Sequence, residues 1–307
     1  MSDPASPPDS LDEIMQRVRR LEIQARRLAK ENFSGDYHSS FKGQGLDFDE
    51  FREYQPGDEV RFIDWNVSAR MQEPYVRTFK EERELAVVLA VDVSPSTWFG
   101  SKYFSKRERM AEVAALLGFS ARYNGDKVGL LLFSDDTELY LPPEKGAKPV
   151  LRAVREILTA NPPRLDLEKN PAPGTSLTNA CDFLMRTMRR KGLVFFLSDF
   201  HDHNFERPMA RLAARHDLIA LRVLDPVEKK LPRVGRIHAR DPETGHTSLI
   251  NTNNETARRG YQKLVTRQAE NLAKFFNKNG IDHLTLDTVH DYLPALQTLF
   301  QTRSKRR

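Results

Sequence analysis

Asp92, Ser94 and Ser96 stand at alternate positions, in a D-x-S-x-S run, directly after the apolar stretch Leu85–Val91. One carboxylate and two hydroxyls are hard oxygen donors, which suit Mg²⁺ or Mn²⁺ rather than zinc. Two later positions carry the same chemistry. Asp199 follows the apolar run Leu193–Leu197, and Thr175 lies just before a helical segment that opens at Leu177. Two carboxylates would balance a divalent charge. Mg²⁺ keeps waters readily, so one coordination position would stay open to an incoming ligand. A different chemistry is offered beside Asp199, where His201, Asp202 and His203 follow. A metal-dependent hydrolase or phosphoesterase could draw on Asp199, His201 and Asp202. Each of these residues also has a plain structural use, since serine and aspartate close turns and cap helices. The chain holds no G-x-S-x-G elbow, no G-x-x-x-x-G-K-[ST] loop and no H-E-x-x-H helix, so no catalytic residue is assigned.

The elements that would position these residues are legible in the hydrophobic pattern. Leu85–Val91, Val128–Phe133, Leu193–Leu197 and Leu218–Leu224 are unbroken apolar runs, the mark of strands buried on both faces of a parallel sheet. Helical patterns alternate with them over Lys106–Tyr123, Pro149–Leu158, Leu177–Arg189, Arg207–Arg215, Glu255–Lys278 and Leu293–Leu299. Tyr261, Leu264, Leu272, Phe275 and Phe276 are expected to face inward on the long helix. Thr137–Leu141 reads as an antiparallel edge strand, Asp282–Leu286 as a last strand, and Arg236–Ile250 as a hairpin turning at Asp241–Gly245. The proline-rich stretch Asn161–Gly174 reads as a loop. Strand and helix in alternation give an α/β fold, a doubly wound and mostly parallel sheet. In such sheets ligands bind beyond the carboxyl ends of the strands, where Asp92 and Asp199 fall.

Ahead of this domain, residues 1–10 are rich in proline and aspartate and are expected to be disordered. An amphipathic helix follows over 11–34, with Leu11, Ile14, Val18, Leu21, Ala25 and Leu28 on one seam. Residues 35–84 have a different texture, with glycines, a PGD turn and short alternating pieces such as Val60–Ile63 and Tyr75–Phe79. This stretch reads as a small β-rich N-terminal subdomain. Arg52, Asp58, Arg61, Asp64 and Arg70 are dense there, either as ion pairs that lock the module or as a surface for a partner.

Composition narrows the function classes. The chain has 307 residues, 39% hydrophobic and 30% charged, enough for a real core and a well-solvated surface. Its apolar runs are strand length, short of the roughly 20 residues that span a bilayer. The polar, acid-bearing start is unlike a secretory signal, and Cys181 is the only cysteine, which excludes an internal disulfide. A soluble cytoplasmic protein is expected. Of the formal charge of +5, the basic tail 303–307 supplies four, leaving about +1 elsewhere and little support for nucleic-acid binding.

Taken together and in order, Asp92, Ser94, Ser96, Thr175 and Asp199 resemble the metal-ion-dependent adhesion site of von Willebrand factor type A domains. FREYQPGDEVRFIDWNVSAR (Phe51–Arg70) looks like the signature that precedes that domain in the bacterial domain-of-unknown-function 58 family. PYVRTFKEERE (Pro74–Glu84), GDKVGLLLF (Gly125–Phe133) and the D-x-E-T-G turn at Asp241–Gly245 are similar to it as well. The resemblance covers roughly residues 11–302. It implies a von Willebrand factor A-like domain from 85 to 302, with Mg²⁺ or Mn²⁺ at the top of the central sheet. Ser94 and Ser96 would bind the ion directly and Thr175 in one state, with Thr178 a competing hydroxyl. Asp92 and Asp199 would bind directly or through water, and a partner's Asp or Glu would complete the coordination. Such domains are not usually enzymes. The resemblance also implies a protein partner, a MoxR-type AAA+ ATPase or its client, in assembling or maturing other proteins. It leaves the oligomeric state open.

Overall fold

The computed structural model describes residues 11–30, 34–41, 47–80, 84–102, 104–160, 174–240 and 246–306. The segment 1–10, most of the proline-rich stretch 161–174 and the turn 241–245 lie outside the described residues. The chain forms two compact units, one of residues 1–40 with 86–307 and the other of residues 41–85.

The larger unit is built on a six-stranded sheet. Its strands are β3 (Ala86–Asp92), β4 (Lys127–Phe133), β5 (Thr137–Glu144), β6 (Leu193–Ser198), β7 (Asp217–Leu224) and β10 (Asp282–Asp287), in the order β10-β7-β6-β3-β4-β5. All neighbours are parallel except β5, which runs antiparallel to β4 at the edge. That edge place lets β5 carry Pro142 and Pro143, which cannot donate to a ladder. In β3 every residue from Val87 to Asp92 is buried, as its unbroken apolar run requires. The chain leaves β3 for β4 on one side and later returns to β6 on the other. β3 and β6 therefore flank the point where the strand order reverses, where α/β sheets form their binding crevice.

Helices cover both faces. Alternate residues of β3 and β6 (Val88, Ala90, Val194, Phe196) pack in one core with α6 (Leu177–Thr187), α7 (Glu206–Arg215) and Phe276 of α9 (Glu255–Lys278). Phe195, pointing the other way, meets Phe300 of α10 (Leu293–Arg306). α4 (Lys106–Tyr123) is buried along most of its length, because α1 (Leu11–Leu28) and α5 (Ala147–Thr159) pack on it. Gly118 permits the α4–α5 approach, since a Cβ there would lie 2.8 Å from Val150 Cγ1. Val18, Ala25 and Ala29 are buried, so the seam of the first helix is spent within its own unit. A short α2 (Ser34–Ser40), most of it within the stretch 35–84 expected to be β-rich, belongs to this unit.

Two further details depart from the expected pattern. Leu264, expected inward, is 69% exposed, because only the C-terminal part of α9 meets the core. α10 runs on to Arg306, and Arg303 is a buried residue of it rather than part of a free basic tail. Its guanidinium pairs with Asp217 of β7 and Asp282 of β10. A hairpin of β8 (Arg236–Arg240) and β9 (Thr247–Asn251) stands at the expected insertion, and a one-turn helix α8 (Pro226–Lys229) follows β7.

In the smaller unit, β1 (Asp47–Glu53) pairs antiparallel with β2 (Tyr75–Lys80), and α3 (Trp65–Met71) lies between them in sequence. Val60–Phe62 is a 3₁₀ turn, not a strand. It is held between the Gln55–Asp58 turn and the start of α3, which leaves no room to extend. Three of the dense charges, Arg52, Asp58 and Asp64, are engaged within the module. Asp64 caps α3 by accepting from the Asn66 and Val67 N–H groups and pairs with Arg77. Arg52 holds both Asp58 carboxylate oxygens at 2.7 Å.

Candidate metal centre

Asp92 is the last residue of β3 and is level with Ser198 at the end of β6, since Val91 pairs with Leu197. After Asp92 the chain turns at once. Pro95–Trp98 is a 3₁₀ turn, fixed by the Thr97 hydroxyl donating to the Ser94 carbonyl at 2.7 Å. This tight turn aims Ser94 and Ser96 back over the sheet edge. The Ser94 N–H donates to Asp92 Oδ1 at 2.9 Å, and the Ser198 hydroxyl donates to Asp92 Oδ2 at 2.7 Å. Ser94 and Ser96 hydroxyls lie 3.2 Å apart, and Ser96 Oγ donates to Asp199 Oδ2 at 2.8 Å. Four of the five expected residues are thus one hydrogen-bonded cluster.

Asp199 is set by its own turn. Phe200, next in sequence, has φ 55°, a left-handed conformation that costs a bulky residue about 1–2 kcal/mol. Its ring is held in the core against Phe205 and Phe276, which compensates. The His201 N–H donates to Asp199 Oδ1, and Arg222 Nε donates to the Asp199 carbonyl. Strain of this kind collects at functional sites.

Thr175 is half-buried on the segment before α6. The neighbouring Ser176 N–H donates to the carbonyl of Ser134, just past the end of β4. Thr175 therefore stands next to a residue anchored just past the end of β4, the strand that neighbours β3. Thr178 lies inside α6, with its hydroxyl 3.5 Å from the Asn204 carbonyl. Thr175 is half-buried and Ser96 is 8% exposed, whereas Asp92, Ser94 and Asp199 are fully buried.

Residues that the sequence did not announce shape the electrostatics. Lys106, the first residue of α4, is wholly buried, and its ammonium donates to Asp199 Oδ2 and Glu228 Oε1, each at 2.7 Å. Burial alone would depress the ammonium, but Asp199 and Glu228 more than offset it and hold its pKa above the ordinary value. Burial likewise pushes Asp199 up, and the Lys106 ammonium more than reverses this, leaving its carboxyl below the usual range. Asp92 has no such partner. Burial, and then the charge of Asp199, push it up to about 7 against the hydrogen bonds from Ser198 and Ser94. Arg107 stands behind, donating to the Val93 carbonyl at 3.0 Å and stacked 4.1 Å over the Trp98 ring. One local signal was available for Lys106 and Arg107. Cations in a first helical turn oppose the helix dipole, a choice that needs a reason elsewhere.

The donor set fits a hard divalent cation: two carboxylates and two serine hydroxyls converge, and no cation hydrogen-bonds to Asp92, with Arg107 acting on it only through space. Among the described residues no three His, Cys, Asp or Glu side chains form a metal-holding group, so hydroxyls would have to supply part of the coordination. The other cluster is engaged differently. His201 Nε2 lies 3.3 Å from Arg222. The Asp202 carboxylate accepts from the Leu177 and His203 N–H groups, so it caps α6.

The family described as "Protein of unknown function DUF58" matches residues 50–271. Uncharacterized proteins of Mycobacterium bovis and Mycobacterium tuberculosis are each 30% identical over 290 residues, covering 94% of this chain and 89% of the relative. A solved structure, the PilB minor pilin from Streptococcus sanguinis, aligns with TM-score 0.35 and 12% identity. It covers 76% of this chain and 64% of that one, a likeness too slight to bear on function. With the family matched over most of its length and relatives similar across nearly all of it, the chain belongs to the DUF58 family.

Proposed function

We propose that the larger unit is a von Willebrand factor A-like interaction module acting in the cytoplasm. In this reading Asp92, Ser94, Ser96 and Asp199, joined by Thr175, hold Mg²⁺ or Mn²⁺. The bound ion supplies a Lewis-acidic position that accepts a carboxylate from a partner protein. The observation that carries the reading is the convergence of these oxygen donors at the reversal point between β3 and β6. The residues divide the work. Ser94 and Ser96 present hydroxyls from a locked turn, Asp92 supplies a buried carboxylate with no cation bonded to it, and Thr175 is the half-buried member. Phe200 and Arg222 fix the backbone of Asp199. The hydrolase reading gains no support from the geometry, because Asp202 is occupied as a helix cap and His201 faces Arg222.

The partner we propose is a MoxR-type AAA+ ATPase or the client it remodels, through an exposed Asp or Glu. Binding to such an ATPase is expected in Mg²⁺ and lost in EDTA, and lost again in Asp92→Asn with metal present. Affinity that is the same in EDTA and Mg²⁺ would contradict a metal bridge.

A further inference from the structure

Lys106 occupies an unusual place for a lysine. Its side chain is wholly buried, and its ammonium touches the same oxygen, Asp199 Oδ2, that accepts the Ser96 hydroxyl at 2.8 Å. A divalent ion drawing on Asp199 and the serines would have to approach an oxygen that a cation already neutralises. Two cations a few ångströms apart in a buried site repel strongly. The ammonium, however, has a second carboxylate. Glu228 Oε1 accepts from it at 2.7 Å, and Glu228 is firmly placed. Its Oε2 accepts the Asp225 N–H at 2.7 Å, and its carbonyl accepts the Tyr261 hydroxyl at 2.7 Å. Asp225 in turn accepts from the Ser101 N–H, the Val227 N–H and the Thr288 hydroxyl. Glu228 is therefore a fixed post to which the lysine can remain tied while giving up Asp199.

We propose that Lys106 is the resident cation of this site. Its ammonium bridges Asp199 and Glu228 and closes the Asp199 side. To admit a divalent ion, the ammonium would give up Asp199 and stay on Glu228. This rests on the reading of the site as a metal centre and adds a competitor built into the chain. The apparent metal affinity is then the intrinsic affinity reduced by the fraction of molecules in which Lys106 has left Asp199. Monovalent ions gain nothing, because they bring no more charge than the ammonium they would replace.

The test is Mn²⁺ binding, read from the loss of the free-ion paramagnetic resonance signal, in wild type, Lys106→Met and Asp92→Asn. Lys106→Met is expected to bind at least tenfold more tightly than wild type, and Asp92→Asn not at all. If wild type binds and Lys106→Met binds equally or more weakly, the competitor role is overturned while the metal centre stands. If neither binds, the metal centre itself fails and the inference goes with it. Should Lys106→Met not fold, Lys106→Met with Glu228→Gln keeps the buried charges balanced and answers the same question. An independent readout needs no variant for binding: the Lys106 Nζ–H resonance of the ¹⁵N-labelled wild type is expected to move as Mg²⁺ saturates the site. A resonance that stays in place at saturation overturns the proposal.

Discussion

Asp92 is a carboxylate with no solvent exposure and no cation bonded to it, and Asp199 adds like charge nearby. In the metal-free protein this arrangement costs stability. Asp92→Asn keeps the shape and removes the charge, so it is expected to stabilise the metal-free protein by about 1–2 kcal/mol in urea unfolding near neutral pH. A loss of stability would mean that the carboxylate is needed for folding rather than for a ligand. At this scale the members of the hydrogen-bonded cluster were partly legible. The D-x-S-x-S spacing fixed the order of Asp92, Ser94 and Ser96 after a buried strand, and the end of another strand marked Asp199. Lys106, Glu228 and Ser198 were not legible as members. Their contacts join residues about a hundred positions apart, and a cation in a first helical turn marks a residue as unusual without naming its partners.

Among the elements, α7 is tied to the sheet through His216. The ring is buried at the end of α7, and its Nδ1 accepts the Gly192 N–H at 3.3 Å beside the start of β6. Burial pushes its pKa down from 6.5 to about 4, helped by the charges of Arg215 and Lys191. A depressed folded pKa means that the unfolded chain takes up a proton that the folded ring refuses. His216 therefore contributes stability that is full above pH about 6.5 and is lost as pH falls toward 4. His216→Gln, which retains an acceptor, is expected to flatten the stability profile across that window; an unchanged slope would contradict this account. Element types and order were readable because buried parallel strands leave unbroken apolar runs. The turn at Val60–Phe62 was not, since alternation over four residues cannot distinguish a strand from a turn held between two aspartate-centred hydrogen-bond sets. Leu264 misled for another reason: helical periodicity continues along α9 after the core that it faces has ended.

For the whole molecule, the C-terminal segment contributes to the fold. Arg303 is 4% exposed and pairs with carboxylates on two strands, while Arg306 is mostly exposed and lies 3.6 Å from Asp282. Arg303→Leu leaves Asp217 and Asp282 half-buried without that charge and is expected to cost about 2–4 kcal/mol in urea unfolding. Removing residues 304–307 is expected to change stability little. Equal effects would show that α10 is not pinned through Arg303. No described helix is long and apolar enough to cross a membrane. The division of the chain at residues 41–85 was visible as a change of texture, but its N-terminal bound was not, because the short helix Ser34–Ser40 carries too few apolar residues to announce itself.

The central claim is that Asp92, Ser94, Ser96 and Asp199 bind a divalent ion that receives a partner's carboxylate. Its most direct test is calorimetric titration of Mg²⁺ into wild type and Asp92→Asn, each alone and with a MoxR-type AAA+ ATPase. The account predicts a single site in wild type, tightened by the ATPase, and no binding heat in Asp92→Asn. Equal binding by both proteins, or none by wild type even with the ATPase present, would contradict it.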